Sequence, residues 1–247
     1  MLSRYLLIIS YDGSCFTGYQ RQKNGKSVQS VLENQLSIIL NNNIKLIGAG
    51  RTDAGVHALN QYAVFDIDKD IDTNKVMHYI NKKKLGVSIR KLFKVKKTFH
   101  PRYMSIEKTY KYYIYSGIYN PFYDKYKLYV YKEYSLKRFK EAAKLFLGKH
   151  NFENFVAGDR ENYEMVINKI IIKKINNQLI LTFKAKSFYR YMVRNLVGAM
   201  LEYAYGNIKI EELELILDNK IKKSLNTANP CGLYLDNIEY KKGDIYE

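Results

Sequence analysis

The chain has 247 residues, enough to bury a sizeable core in one large domain or two small ones, and its 47% hydrophobic content excludes a disordered chain. Forty-one Lys and Arg against 24 Asp and Glu leave a formal charge of +17. Such a surplus attracts polyanions, nucleic acid foremost, and it equally fits a Lys- and Asn-rich solvated surface. Only Cys15 and Cys231 are present, without CxxC spacing, which fits a reduced, cytoplasmic protein with at most one disulfide. The apolar run Leu6 to Ile9 is broken at once by Asp12 and Gly13 and is far too short to span a membrane.

In chain order, Arg4 to Tyr11 predicts a strand, followed by a polar loop through Lys26. Val28, Val31, Leu32, Leu36, Ile39 and Leu40 recur at helical spacing. Ser30 and Glu33 have capping-box spacing, but Val28 puts the helix start near Ser27. Asn41-Asn42-Asn43 ends it. Ile44 to Ala49 and Gln61 to Ile67 predict two further strands, then a helix near Thr73 to Lys83 and a strand near Val87 to Val95. That βαββαβ order predicts a ferredoxin-like unit, a sheet with helices on one face.

The second half repeats the theme. Lys108 to Ser116 is a Tyr-rich strand. Leu136, Phe139, Ala142, Ala143, Phe146 and Leu147 form an amphipathic helix ending at Gly148. Met165 to Ile175 and Gln178 to Lys186 predict a hairpin turning at Asn176-Asn177. A long helix from Phe188 to Tyr205, a short one at Ile210 to Leu217 and a strand at Leu233 to Tyr240 follow. The expectation is α+β: halves 1–104 and 105–247, joined near residues 98 to 106.

The most distinctive segment is Gly48-Ala49-Gly50-Arg51-Thr52-Asp53-Ala54-Gly55-Val56-His57-Ala58. Its glycines let the backbone turn sharply and let a large ligand approach. An isolated Asp-Ala-Gly is an ordinary turn. The whole string resembles the signature of the tRNA pseudouridine synthase A family, and other landmarks follow in the family's order. They are Tyr11-Asp12-Gly13 with Phe16, Gly18 and Gln20, Phe99-His100-Pro101-Arg102-Tyr103, Lys108-Thr109-Tyr110-Lys111-Tyr112, Gly148-Lys149-His150-Asn151-Phe152, Met192-Val193-Arg194-Asn195 and Gly232-Leu233-Tyr234-Leu235. Three positions and one segment depart from the pattern: Tyr19 for the common Trp, Lys108 for the usual Arg, Asn151 for Asp, and the stretch Asn229-Pro230-Cys231.

The resemblance implies two ferredoxin-like halves with joined antiparallel sheets, an RNA-binding cleft and a homodimer acting on tRNA. It makes Asp53 the catalytic carboxylate, Arg51 and Arg194 the basic residues near it, and Tyr110 the aromatic that stacks on the target base. The implied reaction isomerises uridines 38, 39 and 40 of the anticodon arm, with no cofactor and no metal. A carboxylate can trap positive charge at C1′ or add to the pyrimidine ring, and the sequence leaves both routes open. Either needs an ionised Asp53, which a neighbouring Arg favours. The uridine must also leave its stack, which costs on the order of a few kcal/mol.

Without the motif, Arg51 reads as a surface cation, Tyr110 as a strand aromatic and Arg194 as a solvated or helix-paired residue. His57, His78, His100 and His150 lack metal-ligand spacing. Gly25-Lys26-Ser27 resembles the end of a phosphate-binding loop, but Gln20 stands where its first Gly is required. Two other functions stay open: the same chemistry on ribosomal RNA or on fewer tRNA sites, and RNA binding without turnover. The intact Arg51-Thr52-Asp53 argues against the last, because binding alone does not need that carboxylate.

Overall fold

Tyr, Leu and Ile crowd Ser3–Tyr11, and aromatic and β-branched side chains suit a packed, pleated surface. The segment is strand β1 of the computed structural model, which describes residues 2–223 and 225–245. Tyr5, Leu6, Leu7 and Ile9 are all buried, so β1 is covered on both faces. The chain forms two α+β units. One runs to Lys108 and resumes at Tyr234, and the other is Thr109–Leu233.

In the first unit, helix α1 (Val28–Leu40) follows β1. Its buried stripe, Val28, Leu32, Leu36 and Leu40, repeats every four residues, the spacing that keeps side chains on one helix face. Ser27 is the N-cap, and its capping-box partner is Ser30. Glu33 therefore plays no part in the cap. Its buried carboxylate instead accepts from the Leu46 amide at 2.9 Å, from Gln29 Nε2 at 3.1 Å and from Arg21 Nη1 at 2.8 Å. Asn41, left-handed at φ 45°, closes the helix.

The strand expected over Ile44 to Ala49 shrinks to β2 (Ile47–Gly48), because Glu33 takes the Leu46 amide that a strand neighbour would need. Strand β3 (His57–Ile67) starts four residues earlier than the hydrophobic pattern implied. Helix α2 (Thr73–Lys82), capped by Asp72, and strand β4 (Val87–Val95) complete the βαββαβ order. β1 lies between β4 and β3, antiparallel to both, with Tyr11 opposite Ala58 on one side and Val87 on the other. β2 pairs with β3 at Val64 and Ala63.

Helices α1 and α2 pack together, and α2 packs on β4. A separate cluster of Leu6, Val64, Val95 and Phe99 is backed by Tyr62, Phe93, Met104, Tyr240 and Ile245. Tyr240 belongs to the return of the chain. The last strand, read from sequence with the second half, runs Leu233–Glu239 and pairs parallel with β3, Tyr234 opposite His57 and Leu235 opposite Ala58.

The second unit starts within strand β5 (Glu107–Tyr115), on which the short β6 (Leu128–Tyr129) pairs in parallel. Helix α3 (Leu136–Leu145) leads to β7 (Gly148–Asn151). The expected hairpin is β8 (Glu164–Ile175) and β9 (Gln178–Ala185), turning at left-handed Asn176. The strand order is β5-β9-β8-β7.

Helix α4 (Met192–Tyr205) is almost wholly buried and packs with α3 and with α5 (Ile210–Leu217). The helix expected from Phe188 begins only at Met192, because Tyr191 is left-handed at φ 62° and cannot continue a right-handed helix backwards. β10 is the terminal strand Leu233–Glu239. No helix among the described residues is long and apolar enough to cross a membrane.

Candidate active site

The loop between β2 and β3 carries Arg51 and Asp53, and its backbone is fixed residue by residue. The Ala49 amide donates to the Tyr62 carbonyl at 2.8 Å, and the Ala49 carbonyl accepts from Lys108 Nζ at 2.8 Å. The Gly50 carbonyl accepts from Gln61 Nε2 at 3.0 Å, and Gln61 is fully buried. The Thr52 carbonyl accepts from the Tyr19 amide at 3.1 Å, while the buried Thr52 hydroxyl pairs with Tyr11 Oη at 2.8 Å. The Val56 amide donates to the Asp53 carbonyl at 3.2 Å, closing a tight turn with Gly55 at φ +78°.

The far end of the loop rests on Gly13. A Cβ there would sit 2.2 Å from the Val56 carbonyl oxygen, so only glycine admits this approach. The Gly13 amide donates to His57 Nδ1 at 3.0 Å. Asp12 Oδ1 lies 3.4 Å from the same nitrogen, but a nitrogen that accepts from Gly13 cannot also donate to Asp12. His57 is therefore an anchor of the loop through Gly13, and its ring stacks 4.5 Å from that of Tyr234. With the backbone and Thr52 turned inward, Arg51 is exposed and Asp53 half-exposed.

Tyr110 and Arg194 lie in the second unit, grouped around one stretch of chain. The Tyr110 ring meets Phe188 edge-on at 5.2 Å. Arg194, on the first turn of α4, has its guanidinium 4.8 Å from the Tyr191 ring, and Arg190 approaches that ring at 4.9 Å. Arg194 Nε donates to the Ala228 carbonyl at 2.8 Å, while the Ala228 amide donates back to the Arg194 carbonyl. That two-way tie fixes where the guanidinium starts from.

Residues 7–104 and 142–241 match the tRNA pseudouridine synthase family. The tRNA pseudouridine synthase A of Mycoplasma genitalium is 37% identical over 98% of this chain and its own full length. The chain belongs to the tRNA pseudouridine synthase family. Relatives from Bacillus cereus (tRNA pseudouridine synthase A 2) and Pseudothermotoga lettingae (tRNA pseudouridine synthase A) are each 36% identical over 97% of this chain and all of theirs. A solved Cbf5-Nop10-Gar1 complex aligns with 96% of this chain and 50% of its own matched chain, at 11% identity and a TM-score of 0.40.

Membership makes the chain an isomerase acting on tRNA. The loop holds one half-exposed acidic residue, Asp53, on a backbone whose carbonyls at 49, 50 and 52 are all hydrogen-bonded. Motif reading placed Tyr11 and Lys108 among the landmarks without seeing that they fix this backbone, and it missed Gln61. Their signal was weak, a polar side chain inside an otherwise apolar or aromatic strand. A surface cavity of about 850 Å³, lined by Ile39, Asp72, His78, Tyr79 and Lys82 among others, includes no residue of the loop, and its size alone does not make it the site. No cluster of metal-ligating side chains occurs among the described residues.

Proposed function

We propose that this synthase converts uridine to pseudouridine at positions 38, 39 and 40 of the tRNA anticodon arm, with Asp53 as the catalytic carboxylate. Arg51, Tyr110 and Arg194 are its substrate-binding residues. The observation that carries this reading is the Asp53 loop, whose carbonyls at 49, 50 and 52 each receive a donor while Asp53 itself stays half-exposed. A structural turn needs no such fixation, whereas a carboxylate that must meet C1′ or the uracil ring does.

The reaction breaks N1–C1′, turns the uracil, joins C5 to C1′, and returns the proton lost from C5 to solvent while N1 regains one. Arg51 and Arg194 stabilise charge near the reacting nucleoside, and the Tyr110 ring holds the detached base by stacking, which permits rotation. The enzyme works as a homodimer in the cytoplasm.

The test uses tRNA tritiated at uracil C5, because forming the new bond releases that tritium. Wild type is expected to release it and Asp53→Asn to release none, with both still binding tRNA. Equal release from the two would remove Asp53 from the chemistry. Pseudouridine maps of cells lacking the protein are expected to lose positions 38 to 40, and loss at ribosomal sites instead would reassign the substrate.

A further inference from the structure

Lys108 is 9% exposed, and its ammonium has one hydrogen-bond partner among the described residues, the Ala49 carbonyl. Among those residues no carboxylate forms a salt bridge with it. Burying an unpaired charge is costly, and a neutral donor could hold a carbonyl at less cost. Gln61 does so for the next residue, Gly50. The ammonium also constrains its surroundings: a Cβ on Gly50 would meet Lys108 Nζ at 2.9 Å and no other neighbour within 4 Å. Gly50 is not left-handed, so what it leaves open is room for this one nitrogen.

We infer that Lys108 is a positioning residue: its buried ammonium fixes the Ala49–Gly50 peptide and, through it, the place from which Asp53 acts. The inference rests on Asp53 being the catalytic carboxylate. Lys108 approaches the loop from the start of β5, and Ala49 is only four residues from Asp53. Charged N–H···O bonds are roughly twice as strong as neutral ones. The loop is thereby tied hard at the end where the carboxylate's direction is set.

Lys108→Met, Lys108→Arg, Gly50→Ala and the Gly50→Ala/Lys108→Met double variant test this in the full-length protein. At saturating tRNA, Lys108→Met is expected to lose about 10- to 100-fold in kcat, the cost of a small misplacement of a catalytic group. Its KM and tRNA affinity stay within about two-fold of wild type, since no substrate contact is removed. The melting temperature does not fall, because an unpaired buried charge has gone. Lys108→Arg restores most of the kcat. Gly50→Ala pushes Nζ off the Ala49 carbonyl and lowers kcat by itself, yet adds nothing to Lys108→Met.

Hydrogen exchange across residues 49–53 gives a readout independent of turnover, with faster exchange expected in Lys108→Met and wild-type exchange in Lys108→Arg. Wild-type kcat in Lys108→Met, no rescue by Arg, additive losses in the double variant, or unchanged exchange would each overturn the inference. A wild type that releases no tritium would instead sink the reading of Asp53. The exchange result still judges whether Lys108 fixes the loop.

Discussion

Two tyrosines beside the Asp53 loop show how differently a buried hydroxyl can fare. Tyr11 Oη pairs with Thr52 Oγ1, whereas the Tyr19 hydroxyl is buried with no hydrogen-bond partner among the described residues. Burial pushes both phenols well above the usual tyrosine range. Tyr11→Phe is expected to cost about 1 kcal/mol of stability, and Tyr19→Phe to cost nothing or to raise it, since an unsatisfied hydroxyl is a penalty. Denaturant melts of the two variants compare them directly, and equal losses would contradict the assignment. At Lys108, burial first and then repulsion from Arg102 lower the ammonium from 10.5 to about 8. Between those values the unfolded chain holds a proton that the native chain has released, so this residue's contribution to stability rises with pH from about 8 to 10.5. Below about 8 the native state carries the full cost of the buried charge. Wild type should therefore gain stability relative to Lys108→Met over that window, and a constant gap would argue against a buried ammonium.

Elements end where a side chain competes successfully with the backbone. Glu33 lies on α1, yet its carboxylate serves Leu46, and this sets the start of β2 just before the loop. Glu33→Ala should leave the Leu46 amide and Gln29 short of an acceptor and cost about 2 kcal/mol, discounted because the Arg21 side chain is half exposed. A chemical melt measures it, and a loss below the error of the method would mean that Leu46 finds another acceptor. The late start of α4 has the same logic: Tyr191 turns left-handed, and the freed stretch from Phe188 meets Tyr110, a contact that a continuous helix would have rearranged.

At the scale of the whole molecule, net charge and chain path matter most. A charge of +17 on a tRNA enzyme predicts that affinity for tRNA falls on the order of a thousand-fold between about 50 and 200 mM salt, as counterions released from contacted phosphates return. Filter binding across that range checks it, and salt-independent affinity would deny the basic surface a part in binding. The chain path makes the C-terminal segment part of the first unit: Tyr234 stacks on His57, and Tyr240 packs at 5.1 Å from Phe99 and donates to the Pro101 carbonyl at 2.7 Å. Truncation after Leu233 should therefore loosen residues 57–67 and 99–104 in hydrogen exchange, although they are far away in sequence. Unchanged protection there would show that the first unit completes its core without the return.

Much of this protein was written along the chain. The four-residue stripe of α1, the turn at Asn176, the βαββαβ order and the glycine-flanked Asp53 string depend on neighbours within a few positions, and local spacing encodes them. Tertiary structure decided what pairing across long sequence gaps decides: which amide Glu33 takes, where the last strand lands, and that a lysine 59 residues away ties down Ala49. No periodicity announces such contacts, because burial and a partner's approach, rather than the residue's own neighbourhood, turn an ordinary Lys, Gln or Tyr into a support for the Asp53 loop.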